Sequence, residues 1–305
     1  MRLFPALLVA TLFGGIALAI AARVAQPSWF AAVHGGNYAA ISQHFLPHLF
    51  AHATMLHGAV PNALLDSAQY SFVPPAWSVS LEWQFYLVAP FAIWLCRTRG
   101  GAVALVGLIV VLSFVYHHEL KAQWDRPSML AGSARWFLIG IAARFAAPRL
   151  AGLVDYPAAV GLGAGFTLLW LGTPALAMWL AVYSFILRRQ DVSGGVDGLY
   201  IGAMRLALES RPIQALAERS YSTYLLHWPV ILLIGAVATA SGVPTGRSLL
   251  VVMLLTVPIT LILQEPVYRF VEMPGRALGK RWTSRFGAAP VAEVATETFS
   301  PQAAR

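Results

Sequence analysis

The chain has 305 residues, of which 58% are hydrophobic and 11% charged, with a formal net charge of +8. Soluble domains carry about 25% charged residues, so this balance excludes a water-soluble globular protein and makes lipid the solvent for most of the chain. The single cysteine, Cys96, excludes an internal disulfide and a cysteine-rich metal cage, and the cations sit between apolar runs, where they report orientation and contact with membrane lipids, not nucleic acid.

Backbone polar groups in a bilayer must be satisfied within their own segment. Apolar runs without strand-like alternation therefore read as spanning helices of about 20 residues. In chain order, the runs at 4–24, 81–96, 101–116, 129–147, 153–170, 172–187, 222–239 and 248–271 predict an all-α, polytopic integral membrane helix bundle of about eight transmembrane helices. Pro5 suits the first turn of the first helix. Ala19-Ile20-Ala21 resembles a signal-peptide cleavage site, but the run is long for such a peptide. A shorter stretch, 45–60, contains Pro47, His48, His52 and His57 and reads as a re-entrant or interfacial segment.

Placing both termini in the cytoplasm puts sixteen of the 21 Lys and Arg residues on the inner side, as the positive-inside rule requires. Ala25 to Ser80, which contains no Lys or Arg, then lies outside. Residues 1–285 are expected to form one membrane domain, and the polar stretch 286–305 a disordered cytoplasmic tail.

The densest polar information lies at Pro74 to Tyr86, where a charge-poor loop enters an apolar helix. Two prolines enforce an extended approach, Ser78 or Ser80 can cap the helix, and Glu82 falls in its first turn. The bland reading is a capping box with a Trp/Tyr interfacial belt. The functional reading is a carboxylate in a partly desolvated pocket, with Ser78 on the same face four residues earlier. Arg135, inside an apolar run, needs a partner, and Glu82 enters the membrane from the same side, so an ion pair is expected. His44, His48 and His52 recur every four residues and could ligate a transition metal. Pro47 interrupts that stripe and Asp66 is the only nearby carboxylate, so no metal is assigned. No GxSxG elbow, Walker loop, HExxH or dinucleotide fingerprint is present.

Trp77-Ser78-Val79-Ser80-Leu81-Glu82, followed by Gln84-Phe85-Tyr86-Leu87 and Pro90, resembles the WSLSxExQFYLxxP signature of the acyltransferase 3 family. Ser220 to Pro229 resembles its SYSxYLxHxP segment, Tyr268 to Pro274 its YxxxExP ending, and Phe137 with Gly140 a weaker pattern. The resemblance implies a membrane-bound O-acyltransferase of the bacterial inner (plasma) membrane. Such a protein moves an acyl group, commonly acetyl, from acyl-CoA to a hydroxyl of an extracytoplasmic glycan or similar acceptor. It implies catalytic roles for Glu82, Ser78 and His227, and substrate contacts from Trp77, Tyr86, Arg135 and Tyr224. Arg2 would meet the coenzyme A phosphates, and Glu272 would pair with a nearby Arg to close the bundle.

Acyl-CoA is expected as a donor substrate, with no permanently bound cofactor. Family members begin with two further helices carrying an Arg and the histidine usually regarded as essential. Met1 to Ala6 resembles only the tail of the third-helix motif, none of the eight histidines matches the essential one, and the general base is unassigned. Two alternatives stay open: a solute transporter whose intramembrane Glu, Arg and His line a pathway, and a catalytically inactive truncated scaffold. The acceptor, the acyl group and the oligomeric state are not legible.

Overall fold

The structure is a computed structural model that describes residues 3–24, 41–124, 126–151, 154–188 and 194–285. Arg2 and the tail from 286 lie outside the described residues. Among those described, every regular element is helical. The chain divides into two compact units, 1–138 with 219–290 and 139–218 with 291–305.

The first unit opens with α1 (Leu3–Ala21), which carries no charge along its length. Its buried face runs through Ala6, Ala10, Gly14, Ala17 and Ala21, a small-residue stripe at helical spacing that lets other backbone approach closely. Gly14 uses that room: a Cβ there would lie 3.1 Å from Val73 Cγ2 and collide with the Phe72 carbonyl.

Helix α2 (Phe45–Ala53) has nine residues. It rises about 13 Å and cannot cross a hydrocarbon core of about 30 Å. It ends on Met55, which adopts a left-handed φ of 58°. The Met55 N–H donates to the His52 carbonyl and the Leu56 N–H to the Ala51 carbonyl, the double closure that normally has glycine at the left-handed position. The following loop returns through two single 3₁₀ turns, Ala68–Tyr70 and Pro74–Ala76, to α3 (Trp77–Leu95).

Thr98 starts α4 (Arg99–Val115) by accepting the Gly101 N–H at 3.0 Å. The helix continues through a π-helical turn (Tyr116–Leu120) and a 3₁₀ turn (Lys121–Gln123). Helix α5 (Leu130–Ala151) begins in the first unit and ends in the second.

The second unit contains a π-helical turn (Ala159–Ala164) leading into α6 (Gly165–Trp170), then α7 (Pro174–Arg188) and α8 (Gly195–Glu209). Its small core joins Ala158, Phe185, Tyr200 and Ile201. Tyr200 and Ser184 share a hydrogen bond of 2.9 Å, and Asp197 accepts the Ala158 N–H at 2.9 Å.

Helix α9 (Arg211–Ala240) enters the first unit at Arg219. It is followed there by α10 (Thr245–Val267), a π-helical turn (Tyr268–Glu272) and α11 (Met273–Arg285). The first unit's core gathers Leu7, Phe72, Val73, Ala76, Leu225 and Leu232 from α1, the returning loop and α9.

Among the described residues, four helical stretches are long and apolar enough to cross a membrane: Leu3–Ala21, Arg99–Gln123, Arg211–Ala240 and Gly246–Trp282. That is half the eight expected. Expected spans 81–96 and 129–147 are helical in α3 and α5, with 19 and 22 residues, but Glu82, Gln84, Arg135, Arg144 and Arg149 lower their apolarity. Those at 153–170 and 172–187 yield only shorter apolar helices, Ala159–Trp170 and Pro174–Arg188.

Candidate functional site

A cavity of about 1070 Å³ opens within the first unit. Leu3, Phe4 and Pro5 of α1 form one wall, and the end of α2 with Met55 a second. Glu82, Trp83 and Tyr86 project from α3, Ser220, Tyr221 and Tyr224 from α9, and Gly275 and Leu278 from α11. The walls are mostly apolar, with one carboxylate and three phenols among the lining groups. Such a cavity can hold an apolar or thioester chain while orienting it through a few polar contacts.

Glu82 is half-buried and accepts a hydrogen bond from the Tyr86 hydroxyl, one turn later on the same face. The 3₁₀ turn at Pro74–Ala76 advances the helix start to Trp77, with neither Ser78 nor Ser80 capping it. Glu82 consequently sits in the second turn and not the first, so it answers to the cavity and not to the helix end. Trp77 is half-buried at the helix start and is not among the cavity-lining residues.

Ser78 reaches the opposite wall. Its hydroxyl lies 2.8 Å from the Tyr224 hydroxyl, which itself donates to the Pro75 carbonyl. With the Tyr224 proton so placed, Ser78 is the donor of the pair. His227, one turn beyond Tyr224, gives its Nδ1 proton to the Tyr224 carbonyl at 2.6 Å. That bond leaves Nε2 as the lone-pair nitrogen. His227 is half-buried and not among the lining residues.

The expected Glu82–Arg135 ion pair does not form. Arg135 is exposed on α5 and lies over the Trp136 ring, 5.4 Å from its centroid, where a cation–π contact takes the carboxylate's place. Arg2, the expected contact for the coenzyme A phosphates, lies outside the described residues.

Contacts between distant helices tie the family-like stretches together and to their neighbours. Ser78–Tyr224 joins the first stretch to the second. Ser222, fully buried, donates to Glu272 Oε2 at 2.8 Å and joins the second to the third. Gln84 donates to the Ser128 carbonyl and accepts the Leu130 N–H, both at 2.9 Å, while Phe85 stacks on Phe137 at 4.2 Å, fastening α3 to α5. A further carboxylate, Glu265, takes Arg219 at 2.6 Å and also Arg269.

Behind the α2 wall lies a layer that side-chain spacing only partly announced. His44 is exposed, whereas His48, His52 and His57 are fully buried. His52 and His57 stack in parallel, with centroids 4.0 Å apart. His48 Nδ1 is 2.5 Å from the Ser71 hydroxyl, and His57 Nε2 donates to the Ala76 carbonyl at 3.0 Å. Burial holds all three imidazoles below their ordinary range, His57 down to about 4, so all are neutral at pH 7. Among the described residues no group of three or more His, Cys, Asp or Glu is placed to hold a metal ion. Trp83, Ser220 and Tyr221 were not singled out from sequence, although each sits inside a family-like stretch. Helical periodicity from Glu82 and Tyr224 was the available signal.

The family description "Acyltransferase domain" of acyltransferase 3 matches residues 1–265. O-acetyltransferase OatA of Staphylococcus aureus (strain NCTC 8325 / PS 47) is 24% identical over 230 residues, covering 67% of this chain and 36% of OatA. YrhL of Bacillus subtilis (strain 168), a candidate peptidoglycan O-acetyltransferase, is 28% identical over 237 residues, covering 68% of this chain and 35% of YrhL. The matched region is thus about a third of each relative's length. No solved structure matches.

Proposed function

Because the chain belongs to the acyltransferase 3 family, we propose that it is a membrane O-acyltransferase that moves an acyl group, acetyl in the simplest case, from acyl-CoA to a hydroxyl of an extracytoplasmic glycan. The named activities of the two relatives support O-acetylation, and YrhL's name supports a peptidoglycan-type acceptor. The bacterial plasma membrane is what the family resemblance implies, and the charge distribution along the sequence supports placing both termini on its cytoplasmic side.

The observation that carries this reading is the convergence of Glu82, Tyr86 and Tyr224 on one cavity. In the reaction, the acceptor oxygen forms a bond to the thioester carbonyl carbon, and the C–S bond breaks. The acceptor's proton passes to a base, and the departing thiolate is protonated to free coenzyme A. Glu82 is positioned to accept the acceptor's hydroxyl proton or to orient that hydroxyl. Tyr224, fixed by Pro75 and Ser78, contributes a positioned hydroxyl that fixes the substrate in the cavity. His227 Nε2 is the second available lone pair.

The test uses the full chain in proteoliposomes with acyl-labelled acetyl-CoA and a soluble glycan acceptor. The expected result is alkali-labile label on the acceptor, matched mole for mole by free thiol. Correctly inserted chain that consumes no thioester contradicts the reading, and solute flux without thioester consumption replaces it with transport.

A further inference from the structure

The cavity, at about 1070 Å³, is far larger than any short acyl group, so its total volume cannot select one. Selection by length must come from the wall that the acyl chain meets beside the reacting carbonyl. The end of α2 supplies such a wall.

Helix α2 descends along α1. Its first residue, Phe45, meets Phe72 edge-to-face with ring centroids 5.5 Å apart, and the Phe72 backbone packs on Gly14 in the middle of α1. Met55, just past the end of α2, lines the cavity together with Leu3, Phe4 and Pro5 at the start of α1. Phe45 to Met55 and Gly14 back to Phe4 are steps of equal length in the sequence, about 15 Å of helix. The tip at Met55 is therefore level with the start of α1, the end that the charge distribution favours for the cytoplasmic side, where acyl-CoA is supplied.

Two features single out the Met55 side chain at that tip. Its backbone is left-handed, with a φ of 58°, a conformation that glycine takes freely and a long side chain does not. A long side chain kept where glycine would close the helix more easily points from strain to function. The residue is also 3% exposed and belongs to the core cluster that contains Val79, with Trp83 packed against it. Val79, Glu82 and Trp83 share one face of α3, so the packing that holds Met55 also brackets the carboxylate. Removing this side chain deepens the cavity behind its present wall, beside Glu82.

We propose that Met55 sets the length of the transferred acyl group, its side chain being the wall on which the methyl end of a short acyl chain stops. The inference rests on the proposed acyltransferase reading and adds to it the class of acyl group, acetyl-sized and not longer. Methionine is unbranched and polarizable, which suits it to filling an irregular apolar wall.

Competition among acetyl-, butyryl- and hexanoyl-CoA tests it, with the full chain in proteoliposomes and the acyl groups on the glycan acceptor read by mass spectrometry. The readout is a ratio of products within one sample, so it does not depend on how much of a variant folds. Met55→Ala is expected to raise the butyryl-to-acetyl ratio about tenfold or more, the scale of added methylenes in an apolar pocket. Met55→Gly removes one more carbon and carries the shift on to hexanoyl. Met55→Leu, of similar volume, keeps the wild-type ratio within about twofold. So does Leu232→Ala, which opens the same core at a buried position outside the cavity lining. Displacement of radiolabelled acetyl-CoA by the longer thioesters gives the same ranking without the transfer step.

Ratios within about twofold of wild type in both Met55→Ala and Met55→Gly overturn the length limit, as does an equal shift in Leu232→Ala. A shift in Met55→Gly alone assigns the effect to backbone freedom and overturns it too. A wild type that transfers acyl groups while its variants fail in these ways defeats the length limit alone. A chain whose displacement series shifts as described but which transfers no acyl group defeats only the acyltransferase reading. One that binds none of the three thioesters defeats both.

Discussion

The hydroxyls of Ser78 and Tyr224 lie 2.8 Å apart although the residues are 146 positions apart in sequence. This contact joins α3 to α9 at the cavity wall, where Tyr224 is in turn anchored on the Pro75 carbonyl. Tyr224→Phe keeps the ring and removes the hydroxyl, and is expected to cost about 1 kcal/mol of stability and to lower acyl transfer about tenfold or more. Thermal unfolding in detergent and steady-state transfer rates check the two parts separately. Ser78→Ala should follow in the same direction with a smaller loss of rate.

Ser222→Ala removes a donor from the buried Glu272 carboxylate. A buried acceptor that loses a charge-assisted bond costs about 1–3 kcal/mol. Solubilised protein is therefore expected to show a clearly lower Tm, measured beside Ser284→Ala, an exposed site whose substitution should leave Tm within error. A Ser222 variant as stable as wild type would remove this contact from the account of how α9 meets the turn at Glu272.

His57 makes stability depend on pH. Its folded value, about 4, lies below the ordinary 6.5 of an exposed imidazole because burial disfavours the charged form. The unfolded chain therefore binds more protons between those values. Stability from this group is complete above about pH 6.5 and declines as pH falls toward 4, by roughly 3 kcal/mol at most. Tm should drop across that window in wild type and drop less steeply in His57→Gln, whose amide can still donate to Ala76.

Close approach fixes two glycines. A Cβ on Gly58 would lie 2.9 Å from Ser80 Oγ, and one on Gly14 would collide with the Phe72 carbonyl. Gly58→Ala and Gly14→Ala are each expected to destabilise by about 1–3 kcal/mol. Gly107→Ala, where a Cβ meets nothing within 4 Å, should be neutral or slightly stabilising. Parallel Tm measurements on the three variants rank them.

Helical type and the motif stretches were legible because apolar run length and local residue order carry them. α1 and α9 came from run length alone, and Glu82 came from its position beside Ser78 in a recognisable stretch. The start of α3 was misplaced because Pro74-Pro75-Ala76 forms its own 3₁₀ turn, which puts Glu82 one turn deeper. Regular spacing placed His44, His48 and His52 on one stripe, but α2 begins only at Phe45 and leaves His44 exposed while the other two are buried. Neither the Ser78–Tyr224 contact nor the Ser222–Glu272 contact has a local signature, since each depends on packing between distant helices. Arg135 was assigned to Glu82 on membrane depth alone, and that argument omitted the neighbouring Trp136 face.

The central claim is that the cavity bearing Glu82 is where acyl transfer occurs. Its most direct test is the transfer rate of Glu82→Gln, an isosteric change that removes the charge, at saturating acetyl-CoA and matched amounts of folded protein. A fall of about a hundredfold or more, with Tm close to wild type, is the predicted result. A rate within about twofold of wild type would contradict the claim.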